Sequence, residues 1–312
     1  MALIIKSGDA KAFADWKIHF SEFAPGLDVH FWEDPDVDPA SIHYAMVWDP
    51  EPGRLAKFPN LKLISSSAAG VDNIMRDPHL PKHLPVVRVT TTDTAQRMGD
   101  YVCWAALTAM RRIPEILVAQ TTCGWDSSMT GESAPETRVG VMGLGAMGSR
   151  AAEMLALLGF QTAGWSGSPK SIPGVESYAG PGVFDAFLAR TDILVCLLPL
   201  TPDTKAIIRA ETIAKLPRGA CIVNAGRGGH VVNADLIAAL DRGHLKSAVL
   251  DVFDPEPLPK DSPFWAHPKV IVTPHIASFG SRRVRARHVA NVLAAFERGD
   301  PLPGLYDPVR GY

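Results

Sequence analysis

Short apolar runs separated by helix-like stretches mark the first third of the chain. Ala2 to Ile5, Val29 to Trp32, Tyr44 to Trp48, Leu61 to Ile64 and Val86 to Val89 read as strands, and their spacing is α/β patterning. Asp100 to Arg112 then forms an uninterrupted helix-forming run that ends before Pro114. Its apolar positions cover more than one face, so this helix is expected to be buried on several sides, between domains or against a second subunit. Cys123 to Pro135, rich in Ser, Thr, Gly and Pro, reads as a surface connection.

From Arg138 the pattern restarts more strongly. Strands are expected at Val139 to Met142, Gln161 to Trp165, Ile193 to Leu198, Cys221 to Asn224, Ala248 to Val252 and Val270 to Thr273. The last four are nearly all apolar, the mark of strands covered on both faces in a parallel sheet. Helices fit between them at Ala146 to Leu158, Phe184 to Arg190, Glu211 to Leu216 and Asn233 to Asp241, and Ser281 to Glu297 is a last long helix. Both halves look like doubly wound α/β units, without an internal repeat.

Composition narrows the function. The 312 residues suggest two domains at roughly 150 residues each. Lys and Arg total 31 against 33 Asp and Glu, a net charge of −2, which offers neither nucleic acid nor an anionic membrane surface an electrostatic partner. Only Ala2, Leu3, Ile4 and Ile5 precede the first charge, too few for a secretory apolar core, so a cytoplasmic chain is expected. Cys103, Cys123, Cys196 and Cys221 show no paired spacing and read as reduced thiols, with no metal site.

Candidate chemistry begins where the strand Val139 to Met142 runs into Gly143-Leu-Gly145-Ala146-Met147-Gly148 and then a helix. In that context the first glycine permits a tight turn, the second lets backbone approach a pyrophosphate, and the third allows close helix packing. A dinucleotide site is expected. NAD sites carry an acid about 20 residues on, but the chain here reads Trp165-Ser166-Gly167-Ser168-Pro169-Lys170, with no acid between Glu153 and Glu176. The missing carboxylate removes repulsion toward a 2′-phosphate, and Ser166, Ser168 and Lys170 could hold one, so NADP(H) is preferred and NAD(H) remains possible.

Three further loops follow apolar strands. Arg227 lies in Asn224-Ala225-Gly226-Arg227-Gly228-Gly229, and its forked guanidinium suits both oxygens of a 2-oxo acid. His275 lies in Thr273-Pro274-His275, and Glu256, in Asp254-Pro255-Glu256-Pro257, could reach its second ring nitrogen.

In this order the glycine loop, Leu198-Pro199-Leu200-Thr201 with Thr204, Asn224 to Gly228, Leu250-Asp251-Val252-Phe253 with Glu256-Pro257-Leu258, and Thr273-Pro274-His275 resemble the D-isomer-specific 2-hydroxyacid dehydrogenases. Trp165-Ser166, Lys170-Ser171, His230-Val231-Val232, Glu256 to Pro259 and the terminal Arg310-Gly311-Tyr312 resemble that family's bacterial glyoxylate/hydroxypyruvate reductase branch. One departure is that the branch carries arginines after Trp-Ser, where this chain has Gly167 and Pro169.

The resemblance implies a flavodoxin-like substrate-binding domain of residues 1–99 and 280–312, with a Rossmann dinucleotide-binding domain, 100–279, inserted in it. It implies Arg227 as substrate binder and polariser, His275 as acid/base and Glu256 as its partner. Ala225 and Asp251 would meet the nicotinamide carboxamide, alongside cofactor contacts from Leu198, Pro199, Thr204 and Gly226. Ala69 and Gly70, in the Ser67 to Asp72 turn, would offer amides to the substrate carboxylate, and Trp48 would wall the pocket. Trp48 and Trp265 together suggest a small pocket. The implied reaction is reduction of a small 2-oxo acid, in a homodimer packed through the helix from about Asp100. The alternatives are a β-hydroxyacid dehydrogenase, disfavoured by the α/β pattern before the glycine loop, and a non-catalytic nicotinamide-cofactor sensor on the same fold.

Overall fold

All pairings between the strands of the computed structural model, which describes residues 1–308, are parallel. Parallel neighbours need a crossover segment between them, so strands alternate with helices or long loops. The chain divides into two units, Met1–Asp93 with Gly280–Tyr312, and Thr94–Phe279.

The first unit holds β1 (Ala2–Lys6), α1 (Ala10–Phe23), β2 (Asp28–Phe31), β3 (Ile42–Val47), β4 (Leu63–Ser66), the short α2 (Asp72–Met75) and β5 (Val86–Val87). Its five strands run in the order β2-β1-β3-β4-β5, the flavodoxin-like order. Both faces of β1 are buried. Leu3 and Ile5 pack with Trp16 and Phe20 of α1, while Ala2 and Ile4 pack with Trp32, Ile42 and Leu55 on the other side. Asp9 caps α1 by accepting from the Ala12 amide at 2.9 Å, and Ala12, Trp16 and Phe20 then recur every fourth residue as its buried stripe.

The second unit begins within the first turn of α3 (Thr92–Met110) and continues with α4 (Ile113–Thr121), β6 (Arg138–Met142), α5 (Ala146–Leu157), β7 (Gln161–Ser166), β8 (Val175–Ala179), α6 (Phe184–Ala189), β9 (Ile193–Cys196), α7 (Ala210–Ile213), β10 (Ala220–Asn224), α8 (Asn233–Asp241), β11 (Leu245–Leu250) and β12 (Val270–Val272). The sheet order is β12-β11-β10-β9-β6-β7-β8. Counted within the unit this is the Rossmann order with a seventh strand added at one edge. The chain returns to the first unit through α9 (Arg282–Arg298), whose Ala286, Val289, Val292 and Leu293 join Tyr44 and Leu63 in its core.

Three expectations change. The helix expected from Asp100 starts at Thr92, because its first two turns are polar and carry little apolar signal. α3 ends at Met110, before Pro114 as expected, but a further helix follows that was not expected: Pro114 stands in the first turn of α4, where a missing N–H costs no intrahelical bond. β8 lay hidden because Val175–Ala179 is a partly exposed edge strand with two exposed polar positions. Arg310, Gly311 and Tyr312 lie outside the described residues.

Candidate active site

The glycine loop and the loops carrying Arg227, Glu256 and His275 all follow strands of the second sheet. Along its carboxyl edge they run in one row: Thr273–His275 after β12, Asp251–Glu256 after β11, Ala225–Arg227 after β10, Leu197–Thr204 after β9, the glycine loop after β6, and Ser166–Lys170 after β7. With strands about 4.8 Å apart, five steps give a row of about 24 Å. The strand order reverses between β9 and β6, and open α/β sheets bind ligands at such switch points.

The glycine loop takes its shape from three local demands. Gly143 has φ +96°, and a Cβ there would stand 2.9 Å from the Leu197 carbonyl oxygen. A Cβ on Gly148 would lie 1.7 Å from the Gly143 carbonyl oxygen, so only glycine lets α5 begin so close to the turn. Gly145, the N-cap of α5, is different: no protein atom lies within 4 Å of its would-be Cβ. The open side of that glycine, the absence of a side-chain cap and of acids in the first turn of α5, and the helix's positive end make a cradle that fits a pyrophosphate. Gly145 and Ala146 are exposed there, and Met147 is half-buried.

After β7 the Ser166 hydroxyl turns inward and donates to the Ser168 carbonyl at 2.8 Å. The exposed Lys170 has its amide bonded to Ser177 Oγ at 3.0 Å, and its ammonium enters no ion pair among the described residues. The Thr204 hydroxyl is engaged in its own loop, accepting from the Thr201 amide at 2.8 Å and donating to the Pro199 carbonyl at 2.6 Å. Thr204 therefore shapes the Leu198–Thr204 segment.

Glu256 and His275 meet. Glu256 Oε2 lies 2.7 Å from His275 Nδ1, and Glu256 Oε1 accepts from the Phe253 amide at 2.8 Å. Burial alone would push the Glu256 carboxyl up. The bonds from His275 and Phe253, and the nearby charges of His275 and Arg227, outweigh burial and hold it below the usual carboxylate range. His275 sits at φ +55°, a strained region for a residue with a side chain.

Asp251 holds it there. The His275 amide donates to the Asp251 carbonyl at 2.8 Å. The fully buried Asp251 carboxylate accepts from the amides of Ile276 and Ala277, both at 2.9 Å, and from the Thr273 hydroxyl at 2.6 Å. Tyr101 of α3 in turn donates to Thr273 Oγ1 at 2.7 Å, and burial pushes its phenol well above the usual range. The structure thus gives Asp251 a clamp on the histidine loop.

Arg227 is set by its own turn. The Asn224 amide donates to the Arg227 carbonyl at 2.9 Å, Asn224 Oδ1 accepts from the Gly226 amide at 3.2 Å, and an Arg227 guanidinium N–H donates to the Gly226 carbonyl at 2.8 Å. A Cβ on Gly228 would lie 2.0 Å from the Phe253 carbonyl carbon. That glycine lets the Arg227 turn close against the loop that carries Glu256.

Comparison with known proteins identifies the family. Residues 103–277 match the family described as D-isomer specific 2-hydroxyacid dehydrogenase, NAD binding domain. The chain belongs to that family. Glyoxylate/hydroxypyruvate reductase A of Klebsiella pneumoniae (strain 342) is 38% identical over 302 residues, 95% of this chain and 96% of that protein. Its counterpart from Salmonella newport (strain SL254) is 39% identical over 305 residues, 96% of each. A D-isomer specific 2-hydroxyacid dehydrogenase from Xanthobacter autotrophicus Py2, solved with NADPH and MES, superposes with a TM-score of 0.93 at 42% identity, covering 100% of this chain and 99% of that one. An NADPH-dependent glyoxylate/hydroxypyruvate reductase from Sinorhizobium meliloti, solved with NADP and sulfate, gives 0.91 at 39% identity with the same coverage.

In this dehydrogenase the first sheet has its own carboxyl-edge turn. Ser66 Oγ donates to the Gly70 carbonyl at 2.7 Å and accepts from the Ala68 amide at 3.1 Å, while the amides of Ala69 and Gly70 make no hydrogen bond among the described residues. Trp48, half-buried, follows β3. Trp265 is 54% exposed and lines a groove with Leu117 and Val118 of α4 and the beginning of β12, away from the strand end that carries His275. Sequence reasoning gave no role to Tyr101 or Asn224 and missed the clamp role of Asp251. Asn224 two residues before a glycine was the one available signal, since its side chain favours such turns.

Proposed function

We propose that the dehydrogenase reduces a small 2-oxo acid, glyoxylate to glycolate and hydroxypyruvate to D-glycerate, with NADPH preferred over NADH. The observation that carries this reading is the 2.7 Å pair of His275 Nδ1 and Glu256 Oε2, one strand away from Arg227. A bound reduced nicotinamide supplies the hydride that becomes the hydrogen on C2. With Nδ1 tied to Glu256, protonated His275 presents Nε2–H to the keto oxygen and gives it the proton, completing the 2-hydroxy acid. Glu256, kept ionised, orients the ring and stabilises its charge. Arg227 stabilises negative charge as it grows on that oxygen, a preorganised contribution of about 3 kcal/mol.

Gly143, Gly145, Ala146, Met147 and Gly148 would cradle the pyrophosphate. Ser166, Ser168 and Lys170 favour NADPH because no carboxylate there repels a 2′-phosphate, and two relatives were solved with NADPH or NADP. We assign the amides of Ala69 and Gly70 to the substrate carboxylate, with Trp48 as a wall. A homodimer fits the exposed apolar side chains of α3 and α4, among them Trp104, Leu107, Leu117 and Val118, with Trp125 96% exposed nearby in sequence. A cytoplasmic setting fits four cysteines that form no disulfide. No described helix is long and apolar enough to cross a membrane.

Following nicotinamide absorbance with glyoxylate, hydroxypyruvate, pyruvate and bulkier oxo acids tests the reaction. Rapid consumption of NADPH with the first two is expected, and no consumption with any of them would overturn the reading. A higher kcat/KM with NADH would overturn the cofactor preference alone.

A further inference from the structure

His230 is fully buried and lies three residues past Arg227. Its Nδ1 accepts from the Arg227 amide at 3.1 Å, and its Nε2 lies 3.2 Å from the Pro199 carbonyl, which can only accept. The ring is therefore the neutral Nε2–H tautomer, with one nitrogen on each of two loops. The backbone repeats the link, since the amides of Ala206 and Ile208 donate to the carbonyls of Gly229 and His230, both at 2.9 Å. The Pro199 carbonyl also accepts from Thr204 Oγ1. A Cβ on Gly226 would stand 3.0 Å from His230 Nδ1, so the turn before Arg227 is packed directly on this ring. The loop after β9 and the loop after β10 are thus joined through one imidazole and two backbone hydrogen bonds beside it.

We propose that His230 is a positioning residue that fixes Arg227 relative to the Leu198–Thr204 loop, so that the group that binds the oxo acid and the loop beside the cofactor cradle move as one body. The proposal rests on the reductase reading for its kinetic consequence, while the link between the loops stands on geometry alone. An imidazole does this because its two nitrogens are a donor and an acceptor fixed at opposite sides of a rigid ring. Leucine fills similar space with neither. Asparagine can keep the acceptor toward the Arg227 amide, and glutamine can keep the donor toward Pro199.

The experiment compares His230→Leu, His230→Asn and His230→Gln, each alone and with Arg227→Lys. In the Arg227 background, His230→Leu is expected to lower kcat/KM for glyoxylate between about tenfold and about 100-fold, the scale of a misplaced binding group. His230→Asn recovers most of that loss and His230→Gln does not. In the Arg227→Lys background the His230→Leu loss shrinks to less than about threefold, because the two residues act through one interaction. Equal losses in both backgrounds, or losses that merely follow the fall in Tm across all three variants, would overturn the proposal. Amide hydrogen exchange of the segment 224–232 reads the link without any turnover. It accelerates in His230→Leu but not in His230→Asn if the imidazole holds the Arg227 amide, and unchanged exchange in His230→Leu overturns the link. If the unmodified protein reduces no 2-oxo acid, the reductase reading fails while this exchange result still decides the link.

Discussion

The two sheets share a parallel, doubly wound plan, yet their carboxyl edges carry opposite kinds of chemistry. After β4 the first sheet presents Ser66-Ser67-Ala68-Ala69-Gly70, small residues whose polar capacity is backbone. One serine hydroxyl shapes the turn. Beneath it the buried Arg285 donates to the Ser67 carbonyl at 3.1 Å, and burial pushes its guanidinium down to about 10. The second sheet instead presents Arg227, Glu256 and His275. Each side chain there needs its own support: Asn224 and His230 for Arg227, the Phe253 amide for Glu256, and Asp251 with Thr273 and Tyr101 for His275. Backbone amides come already oriented by the fold. Titrating side chains have rotatable bonds, so a site built from them requires a surrounding layer of buried polar groups.

The comparison breaks most sharply at His275. His275→Asn keeps a polar group of similar size but removes the transferable proton, so kcat should fall at least about 100-fold. Cofactor KM should stay near its original value. A near-normal kcat would mean that the second edge, like the first, works without proton transfer.

Asp251→Asn tests the supporting layer. An amide has one acceptor oxygen where the carboxylate has two, so it cannot accept from Thr273, Ile276 and Ala277 together. His275 should then relax from its strained backbone, and kcat/KM should drop about tenfold, in line with about 1–3 kcal/mol for an unsatisfied buried group. If the drop appeared only in Tm, with kcat/KM kept, the clamp would be structural and unrelated to the histidine.

A smaller effect belongs to the first edge. Ser66→Ala removes the hydroxyl that joins Gly70 and Ala68. Because the amides of Ala69 and Gly70 remain, KM for the oxo acid should rise only about threefold, with kcat unchanged, near the ~1 kcal/mol lower range of a lost hydrogen bond. A fall in kcat as large as that of Asp251→Asn would erase the contrast between the edges.

These two edges were also unequally legible in the sequence. Arg227, Glu256 and His275 could be read because each follows an apolar strand and because charged residues between glycines and prolines are conspicuous. The central strands β9, β10 and β11 of the second sheet were legible because both their faces are buried. The polar opening of α3, the proline-started α4 and the partly exposed β8 were not, since the local pattern there gives little apolar signal and tertiary position decides. Asp251 was legible as a residue, but its clamp on the histidine loop was not, because the three donors it accepts from, Thr273, Ile276 and Ala277, lie more than 20 residues away in sequence. His230 stood out in the sequence with no role attached, because its partners lie 31 residues back at Pro199 and three back at Arg227.

The smallest expected effect concerns the amino edge of the second sheet, where a carboxylate serves the fold alone. Asp192, just before β9, accepts from the Arg138 amide at 3.0 Å and from its guanidinium at 2.9 and 2.6 Å, tying the starts of β6 and β9. Burial would raise this carboxyl, but the bonds and charge of Arg138 outweigh burial and lower it. Its folded pKa therefore lies below the unfolded one. The pair contributes its full stability above the ordinary Asp value of about 3.9 and loses it as pH falls through the lowered value. Both side chains are about one third exposed, so solvent screening limits the contribution to about 1 kcal/mol. Asp192→Asn should flatten the fall of unfolding free energy between about pH 5 and pH 2, measured by urea denaturation. It should leave kcat at neutral pH within about twofold, a shift no larger than ordinary surface changes produce. An unchanged acid slope would remove Asp192 from this role. A large loss of kcat would show that the amino edge feeds the site after all, and that the division of labour within this sheet is less sharp than the geometry implies.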